Sequence, residues 1–221
     1  MNHYLGFDPG GGNTFGWAVS CDDGFDTLDV LATGCAAHAL QAVEEALKRL
    51  PQGAQPAAAG IDAPLFWTTT GARRVDKTVR GTLRMMDAPS PGGTVQQLNS
   101  LRGACLVQGV AVAVLLRQQF PQIKITETHP KALLWHLRLA RAGRRADEVS
   151  AAELPGVRSA QTLSTEHERD AVISCYAAWS LHRQRGGWRD LAELEQDAIY
   201  LLPGPVSYWM PTVPENAMAP L

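Results

Sequence analysis

The sequence predicts an α/β protein in which a mixed sheet carries helices on both of its faces. Two observations lead to this class. Short apolar runs typical of strands alternate with longer segments whose apolar residues recur at helical spacing. Two of the strand-like runs, Tyr4–Phe7 and Ala57–Ile61, are each followed directly by an aspartate. Strands that alternate with helices favour a sheet covered on both sides.

The first part of the chain predicts an antiparallel group of strands, then a helix and a further strand. Glycines between residues 10 and 14 supply the positive φ angles that a tight hairpin needs. After Gly34 the apolar residues follow helical spacing, and Pro51 ends that helix. The predicted elements are strands Tyr4–Phe7, Phe15–Ser20 and Thr27–Thr33, a helix over 39–50, and strand Ala57–Ile61.

The second part of the chain alternates helices and short strands around less regular segments. Pro130 suits the first turn of a helix. Thr165 and Glu168 form a capping box that opens the last strong helix. The predicted elements are one short helix within 67–93, a helix over Leu98–Phe120, a strand over Gln122–Thr128, a helix from Pro130 through Leu139, a loop over Ala142–Gln161, a helix over Thr165–Arg185 and a strand over Ala198–Leu202.

Length and composition predict one domain. The 221 residues are 45% hydrophobic, which is enough to bury a core over residues 1–205, with a basic insertion at about 67–95 and a Pro-rich tail at 206–221. Four cysteines show no metal-type spacing and no targeting leader precedes the first strand, so we expect a cytoplasmic protein. The apolar stretches are too short to cross a membrane.

Charge is distributed unevenly, although the net charge is only −2. Residues 1–62 contain eight acids and two bases, whereas 71–84 contain five bases and one acid, and 129–145 contain five bases and no acid. Four of these bases fall on one helical stripe: Arg73, Lys77, Arg80 and Arg84. Such a stripe is either a solvated face or a surface that contacts phosphates.

Three aspartates are candidates for a common site. Asp8 and Asp62 follow predicted strands, and Asp170 lies on the core-facing stripe of the last helix, four residues after Glu166. Burying an ionised carboxylate without a partner is unfavourable by roughly several kcal/mol. Like charges four residues apart on a helix repel each other unless a cation lies between them. The pattern therefore favours a bound metal ion.

The motifs that carry these acids resemble a known superfamily. Their order along the chain is LGFDPGGGNTFGWAV, GIDAP, GARRVDKTVR, ETHPKALLW and EHERDAVISCYAAW. The order resembles the ribonuclease-H-like superfamily, the first motif resembles the opening of RuvC-type Holliday-junction resolvases, and the whole set resembles the predicted nucleases of domain-of-unknown-function family four-two-nine. The resemblance implies three antiparallel strands followed by parallel ones.

The resemblance also implies a metal-dependent nuclease that acts on DNA or RNA. Two Mg²⁺ or Mn²⁺ ions would activate water for phosphodiester hydrolysis. Asp8 would bridge the ions, Asp62 and Asp170 would each bind one, and Glu166 or Glu127 would complete the set. Residues expected to contact the substrate are Gly10, Gly11 and Asn13 in the first turn, together with Arg73, Lys77, Arg80 and His129. A homodimer stays open.

Other interpretations of the same residues stay open. Asp8 directly precedes Pro9 and Asp62 precedes Ala63-Pro64, so both are compatible with simple turns. Glu127 is also compatible with a surface ion pair, and His129 with a structural histidine. The first turn also resembles the phosphate loop of the actin and sugar-kinase superfamily, in which Asp8 would hold Mg²⁺-ATP. A non-catalytic nucleic-acid-binding module of the same fold is the third option.

Overall fold

Strands and helices follow the order that the α/β class requires. The computed structural model describes residues 1–10, 14–24, 26–68, 73–95, 103–141, 143–159, 163, 165–195, 198–200 and 204–212. Its strands are β1 His3–Asp8, β2 Phe15–Asp22, β3 Leu28–Ala36, β4 Pro56–Ile61, β5 Phe66–Thr68, β6 Lys124–Glu127, β7 Val157–Ser159, β8 Trp188–Asp190, β9 Ala198–Tyr200 and β10 Trp209–Pro211. Its α-helices are α1 Ala39–Lys48, α2 Arg74–Met85, α3 Pro91–Thr94, α4 Gly103–Gln119, α5 Pro130–His136 and α6 Glu166–His182.

The main sheet has the order β6-β4-β1-β2-β3-β7 within the described residues. Strands β1, β2 and β3 are antiparallel, whereas β4 and β6 run parallel to β1, and β7 runs parallel to β3. The α/β architecture predicted from the sequence, a mixed sheet of three antiparallel strands followed by parallel ones, is confirmed. The two smaller strand pairs are β5 with β9 and β8 with β10.

Helices cover both faces of the main sheet. Alternate side chains of β1 point to opposite sides, so Tyr4 packs in a core cluster with α2, α5 and α6. Leu5 and Phe7 pack on the other side with α1 and α4. Across the part of the chain that the structure describes, no helix combines the length and the apolar character needed to span a membrane.

Helix α6 lies unusually close to the sheet because three glycines lie beneath it. A Cβ atom added at Gly6 in β1, Gly16 in β2 or Gly60 in β4 would overlap a carbonyl oxygen of the helix. The oxygens belong to Ala171, His167 and Ser174 respectively. Three neighbouring strands therefore fix the height of α6 above the sheet.

Replacing Gly6 with alanine is expected to lower the free energy of unfolding by about 1–3 kcal/mol, because the added Cβ forces α6 away from β1. Gly81 in α2 is the matched control, since a Cβ there meets nothing within 4 Å. Gly81→Ala is expected to stabilise the protein by up to about 1 kcal/mol through helix propensity. Urea denaturation measures both changes, and an unchanged midpoint for Gly6→Ala would contradict the close packing.

Two segments differ from the sequence-based expectation. The predicted loop over 142–161 contains β7, which pairs with β3 and forms one edge of the main sheet. The tail predicted from residue 206 packs in its described part, where Tyr208 and Met210 are buried and β10 pairs with β8. Removing its apolar side chains from water by packing them against the core stabilises the fold. Residues 213–221 lie outside the described residues.

Candidate metal centre

Two of the predicted acids lie side by side at one edge of the sheet. Strands β1 and β4 are parallel neighbours in which Gly6 pairs with Gly60. The backbone N–H of Asp62 donates to the carbonyl of Phe7 at 2.9 Å. Asp8 and Asp62 each come two residues after the paired glycine, so the same Gly-x-Asp pattern brings both carboxylates under α6.

Helix α6 brings the third acid to the same edge. Asp170 lies in its second turn and its side chain is 7% exposed, against 14% for Asp8 and 25% for Asp62. One turn earlier, Nδ1 of His167 lies 2.7 Å from Oδ2 of Asp8. The N-terminal part of α6 is thereby joined directly to the end of β1.

Burial and neighbouring negative charge raise the pKa values of Asp62 and Asp170. Burial raises the pKa of Asp62 well above its ordinary range, and the charges of Asp8 and then Asp170 raise it further. Burial likewise raises the pKa of Asp170 to about 6, with Asp8 and Glu166 adding to the shift and Arg169 opposing it. Negative charge is therefore concentrated here without full compensation from the protein.

Several oxygens of these acids accept no hydrogen bond from the described residues. His167 occupies Oδ2 of Asp8, and Arg169 donates to Oδ1 of Asp170 through Nε at 2.9 Å and Nη2 at 2.7 Å. This leaves Oδ1 of Asp8 and Oδ2 of Asp170, while Asp62 has only a 3.6 Å approach from His129. Within the described chain, oxygens of the three acids do not all come within 4.8 Å of one another.

This set of donors fits a hard divalent cation. Mg²⁺ and Mn²⁺ prefer carboxylate oxygens, and here three carboxylates retain oxygens that the described residues do not occupy. A cation would also relieve the mutual repulsion that raises the pKa values of Asp62 and Asp170. The three acids therefore remain candidates for the metal site expected from the sequence.

Comparison with known proteins gives a family for the chain. Residues 6–190 match the family described as Protein of unknown function (DUF429). The chain belongs to that family. No curated protein matches it.

Two solved structures are similar to this DUF429 protein, both at 12% identity. The first is described as Thermus thermophilus RuvC structure, with a TM-score of 0.42 over 82% of this chain and 96% of that chain. The second is described as T. thermophilus RuvC in complex with Holliday junction substrate, with a TM-score of 0.39 over 84% of this chain and 96% of that chain.

His167 was missed by the sequence-based reasoning, although a signal for it exists. His167 and Asp170 are three residues apart on α6, so both side chains point to the same face of the helix. The hydrogen bond and charge of Asp8 raise the pKa of His167 above its ordinary value, against the opposing effect of burial. In this DUF429 chain His167 therefore orients Asp8 through its Oδ2.

Arg73 corrects the expectation of a phosphate-contacting residue. Its side chain is fully buried in the protein. Its N–H groups donate to both oxygens of Asp76, both oxygens of Glu127 and the carbonyl of Phe66. A guanidinium with every N–H group engaged in the interior has none left for a substrate phosphate.

Glu127 also departs from its expected role as a metal ligand. Burial would raise its pKa, but the charge and hydrogen bonds of Arg73 and His129 outweigh burial and lower the pKa to about 2. Its second oxygen additionally accepts the N–H of Leu65 at 3.0 Å. Both oxygens are thus engaged, so Glu127 is corrected to a buried counter-ion that supports the site from behind.

A compact group of ligand-type atoms surrounds that counter-ion. Atoms of Asp76, Glu127 and His129 all lie within 4.8 Å of one another in the described chain. The guanidinium of Arg73 compensates the negative charge of this group, because it forms ion pairs with both acids. His129 is buried, with Nε2 3.1 Å from Oε1 of Glu127 and Nδ1 3.6 Å from Oδ1 of Asp62. His129 thus lies between Glu127 and the candidate ligand Asp62.

Glu166 reaches the edge of the site but has a protein partner. Its Oε1 lies 2.6 Å from Nζ of Lys131, and both side chains are about half exposed. Nη2 of Arg169 approaches the same oxygen at 3.6 Å. The Lys131 hydrogen bond lowers the pKa of Glu166. Glu166 therefore lies between two protein cations, Lys131 and Arg169.

The basic stripe of α2 is rotated from its predicted position. Arg80 is buried and donates to the carbonyl of Val95 at 3.0 Å, so its expected phosphate contact is corrected as well. The exposed basic residues of this helix are Arg74, Lys77 and Arg84. Their spacing of three and seven residues keeps them on one solvent-facing side.

The predicted glycine turn is described only in part. A Cβ added at Gly10 would overlap Thr14, so the turn after Asp8 requires glycine there. Gly11 and Asn13, which were also expected to contact the substrate, lie outside the described residues.

Asp62→Asn is expected to raise the melting temperature of the metal-free protein at neutral pH. A folded-state pKa above the ordinary value means that ionised Asp62 weakens the fold once pH exceeds that ordinary value. The gain should disappear in acid, where Asp62 is protonated in both states. Asp76→Asn is the control and should lower the melting temperature, because Arg73 loses a partner. A loss of stability in Asp62→Asn would contradict the electrostatic description.

Proposed function

We propose that this protein is a metal-dependent phosphodiester hydrolase that acts on nucleic acid. The proposal is supported by one observation above all. Asp8, Asp62 and Asp170 come from distant parts of the chain and lie near one another at one end of the sheet, where burial and the charge of Asp8 raise the pKa values of Asp62 and Asp170. The protein usually compensates the charge of a structural carboxylate. In these acids, by contrast, some oxygens accept no hydrogen bond from the described residues.

The proposed roles follow from the contacts of each residue. Asp8, Asp62 and Asp170 would hold Mg²⁺ or Mn²⁺, which when bound supplies an activated water and stabilises the leaving oxygen. His167 fixes one oxygen of Asp8, and Arg169 fixes one oxygen of Asp170. In each acid the second oxygen then points away from its protein partner and is available as a ligand.

Cleavage assays with the purified protein test the proposal. Plasmid DNA, branched DNA, single-stranded DNA and structured RNA are incubated with Mn²⁺ or Mg²⁺, with and without EDTA. We expect cleavage of at least one substrate that stops when EDTA is added. Tight ATP binding without cleavage would contradict the proposal and favour the kinase-like alternative. Nucleic-acid binding that is unaffected by Asp8→Asn, without cleavage, would favour a binding module.

The exposed face of α2 offers a surface for the nucleic-acid backbone. Lys77 and Arg84 are exposed and form no ion pair with an acid of the described chain. Seven residues of helix separate them by about 10 Å. Two unpaired cations on one side of a helix match the repeating negative charge of a phosphate backbone.

Lys77→Ala and Arg84→Ala are each expected to weaken binding and to reduce its salt dependence. For duplex DNA the slope of log affinity against log salt should fall by about 0.9 per lost phosphate contact, and for single strands by about 0.7. Asp170→Asn protein is used so that cleavage does not interfere. Lys48→Ala in α1, which removes an exposed cation elsewhere, should leave the slope unchanged. Equal slopes for all variants would exclude α2 as the binding surface.

A further inference from the structure

The ammonium group of Lys131 lies near two of the proposed metal ligands, Asp62 and Asp170. Strand β6 lies beside β4, which leads into Asp62, and α5 begins at Pro130 shortly after β6. Lys131 is the second residue of that helix, and its Nζ lies 2.6 Å from Oε1 of Glu166. The ammonium group is therefore held between the end of the sheet and the first turn of α6.

The charge of Lys131 acts on two of the three proposed metal ligands. It lowers the pKa of Asp62, against the larger effects of burial, Asp8 and Asp170. Burial lowers the pKa of Lys131 itself, but Glu166 and then Asp170 outweigh burial and raise it. Lys131 thus shares the electrostatic environment of the carboxylates that the sequence assigned to two metal ions.

We propose that the Lys131 ammonium replaces the second cation, so that the centre binds one divalent ion rather than two. This inference rests on the proposed metal-dependent function. A second ion would need carboxylate oxygens of its own, yet Glu166 is held by Lys131 and one oxygen of Asp170 is held by Arg169. A second divalent ion beside the ammonium would also be repelled by it.

The formal charges around the proposed metal ligands agree with one bound divalent ion. Asp8, Asp62, Glu166 and Asp170 face the permanent cations Lys131 and Arg169. The four carboxylates exceed these two permanent cations by two charges, or by one charge when His167 is protonated. One divalent ion offsets that excess in either state, whereas two ions would leave a net positive charge.

Mn²⁺ binding to the full chain tests the inference without any substrate. Isothermal titration calorimetry gives the number of ions per chain, and electron paramagnetic resonance distinguishes an isolated Mn²⁺ ion from a coupled pair. We expect one isolated ion in the wild type and in Lys131→Arg. We expect two ions with a coupled signal in Lys131→Glu, which adds a carboxylate ligand, and in Lys131→Ala. Lys48→Ala, which removes an exposed cation in α1, is the matched control and should bind one ion.

The outcomes separate this inference from the proposed function. Two ions in the wild type would overturn the role of Lys131 and leave a metal-dependent enzyme intact. A single ion in both Lys131→Ala and Lys131→Glu would overturn it as well, because removal of the ammonium would have opened no second site. No Mn²⁺ binding in the wild type would instead contradict the proposed function. Lys131 is about half exposed, so these variants are expected to fold, and a thermal melt checks this.

Discussion

Asp8→Asn and Asp170→Asn are each expected to lower the cleavage rate by about 10³-fold or more. A bound divalent ion contributes several kcal/mol of transition-state stabilisation, and about 1.4 kcal/mol corresponds to a tenfold change in rate. An amide keeps the size of the side chain but removes the negative charge that retains the ion. Because burial and neighbouring acids already disfavour the ionised form of Asp170, its amide variant should fold.

A matched aspartate outside the site makes the comparison specific. Asp29 lies on β3 and pairs with Arg158, so Asp29→Asn should leave the cleavage rate unchanged. Rates are measured at saturating substrate over a range of Mn²⁺ concentrations. Full activity in Asp8→Asn at every Mn²⁺ concentration would show that the carboxylate cluster is not the catalytic centre.

Arg73→Met is expected to lower the free energy of unfolding by about 3–5 kcal/mol. Arg73, Asp76 and Glu127 are almost completely buried, and the guanidinium is the shared partner of both acids. Removing it leaves two carboxylates in the interior with their charge uncompensated. The pKa of Glu127, now held near 2 by Arg73 and His129, would rise as a consequence.

The control for Arg73 is an exposed ion pair of similar length. Arg145 pairs with Asp147 at 2.9 Å on the surface, and Arg145→Met should not change the stability measurably. Urea denaturation followed by circular dichroism compares the two variants. Equal midpoints would contradict the view that Arg73 holds the interior behind the metal centre together.

Much of the fold could be predicted from local patterns in the sequence. The capping box of α6 is confirmed, with the side chain of Thr165 accepting from the N–H of Glu168 and the Glu168 carboxylate accepting in return. The strand predicted before Asp62 is confirmed as β4, which ends at Ile61. Strand β7 was missed because a three-residue strand is too short to show alternation, and its pairing with β3 depends on residues far away in the chain.

The candidate site could be predicted only where the backbone dictates it. Aspartates at the ends of neighbouring strands necessarily approach each other, which is why Asp8 and Asp62 were found. The partners of Glu127 could not be foreseen, because Arg73 precedes it by 54 residues and the pair forms through tertiary packing alone. The burial of Arg73 and Arg80 was missed as well. A basic stripe on a helix normally faces solvent, and only tertiary packing buries these two residues.

The number and position of metal ions in a crystal soaked with Mn²⁺ test the central claim most directly. Anomalous diffraction identifies manganese independently of the protein. We predict an anomalous peak bound by oxygens of Asp8, Asp62 and Asp170, with Lys131 and Glu166 still paired beside it. A peak between Asp76, Glu127 and His129 instead, or no peak near Asp8 at a Mn²⁺ concentration that supports cleavage, would contradict the account.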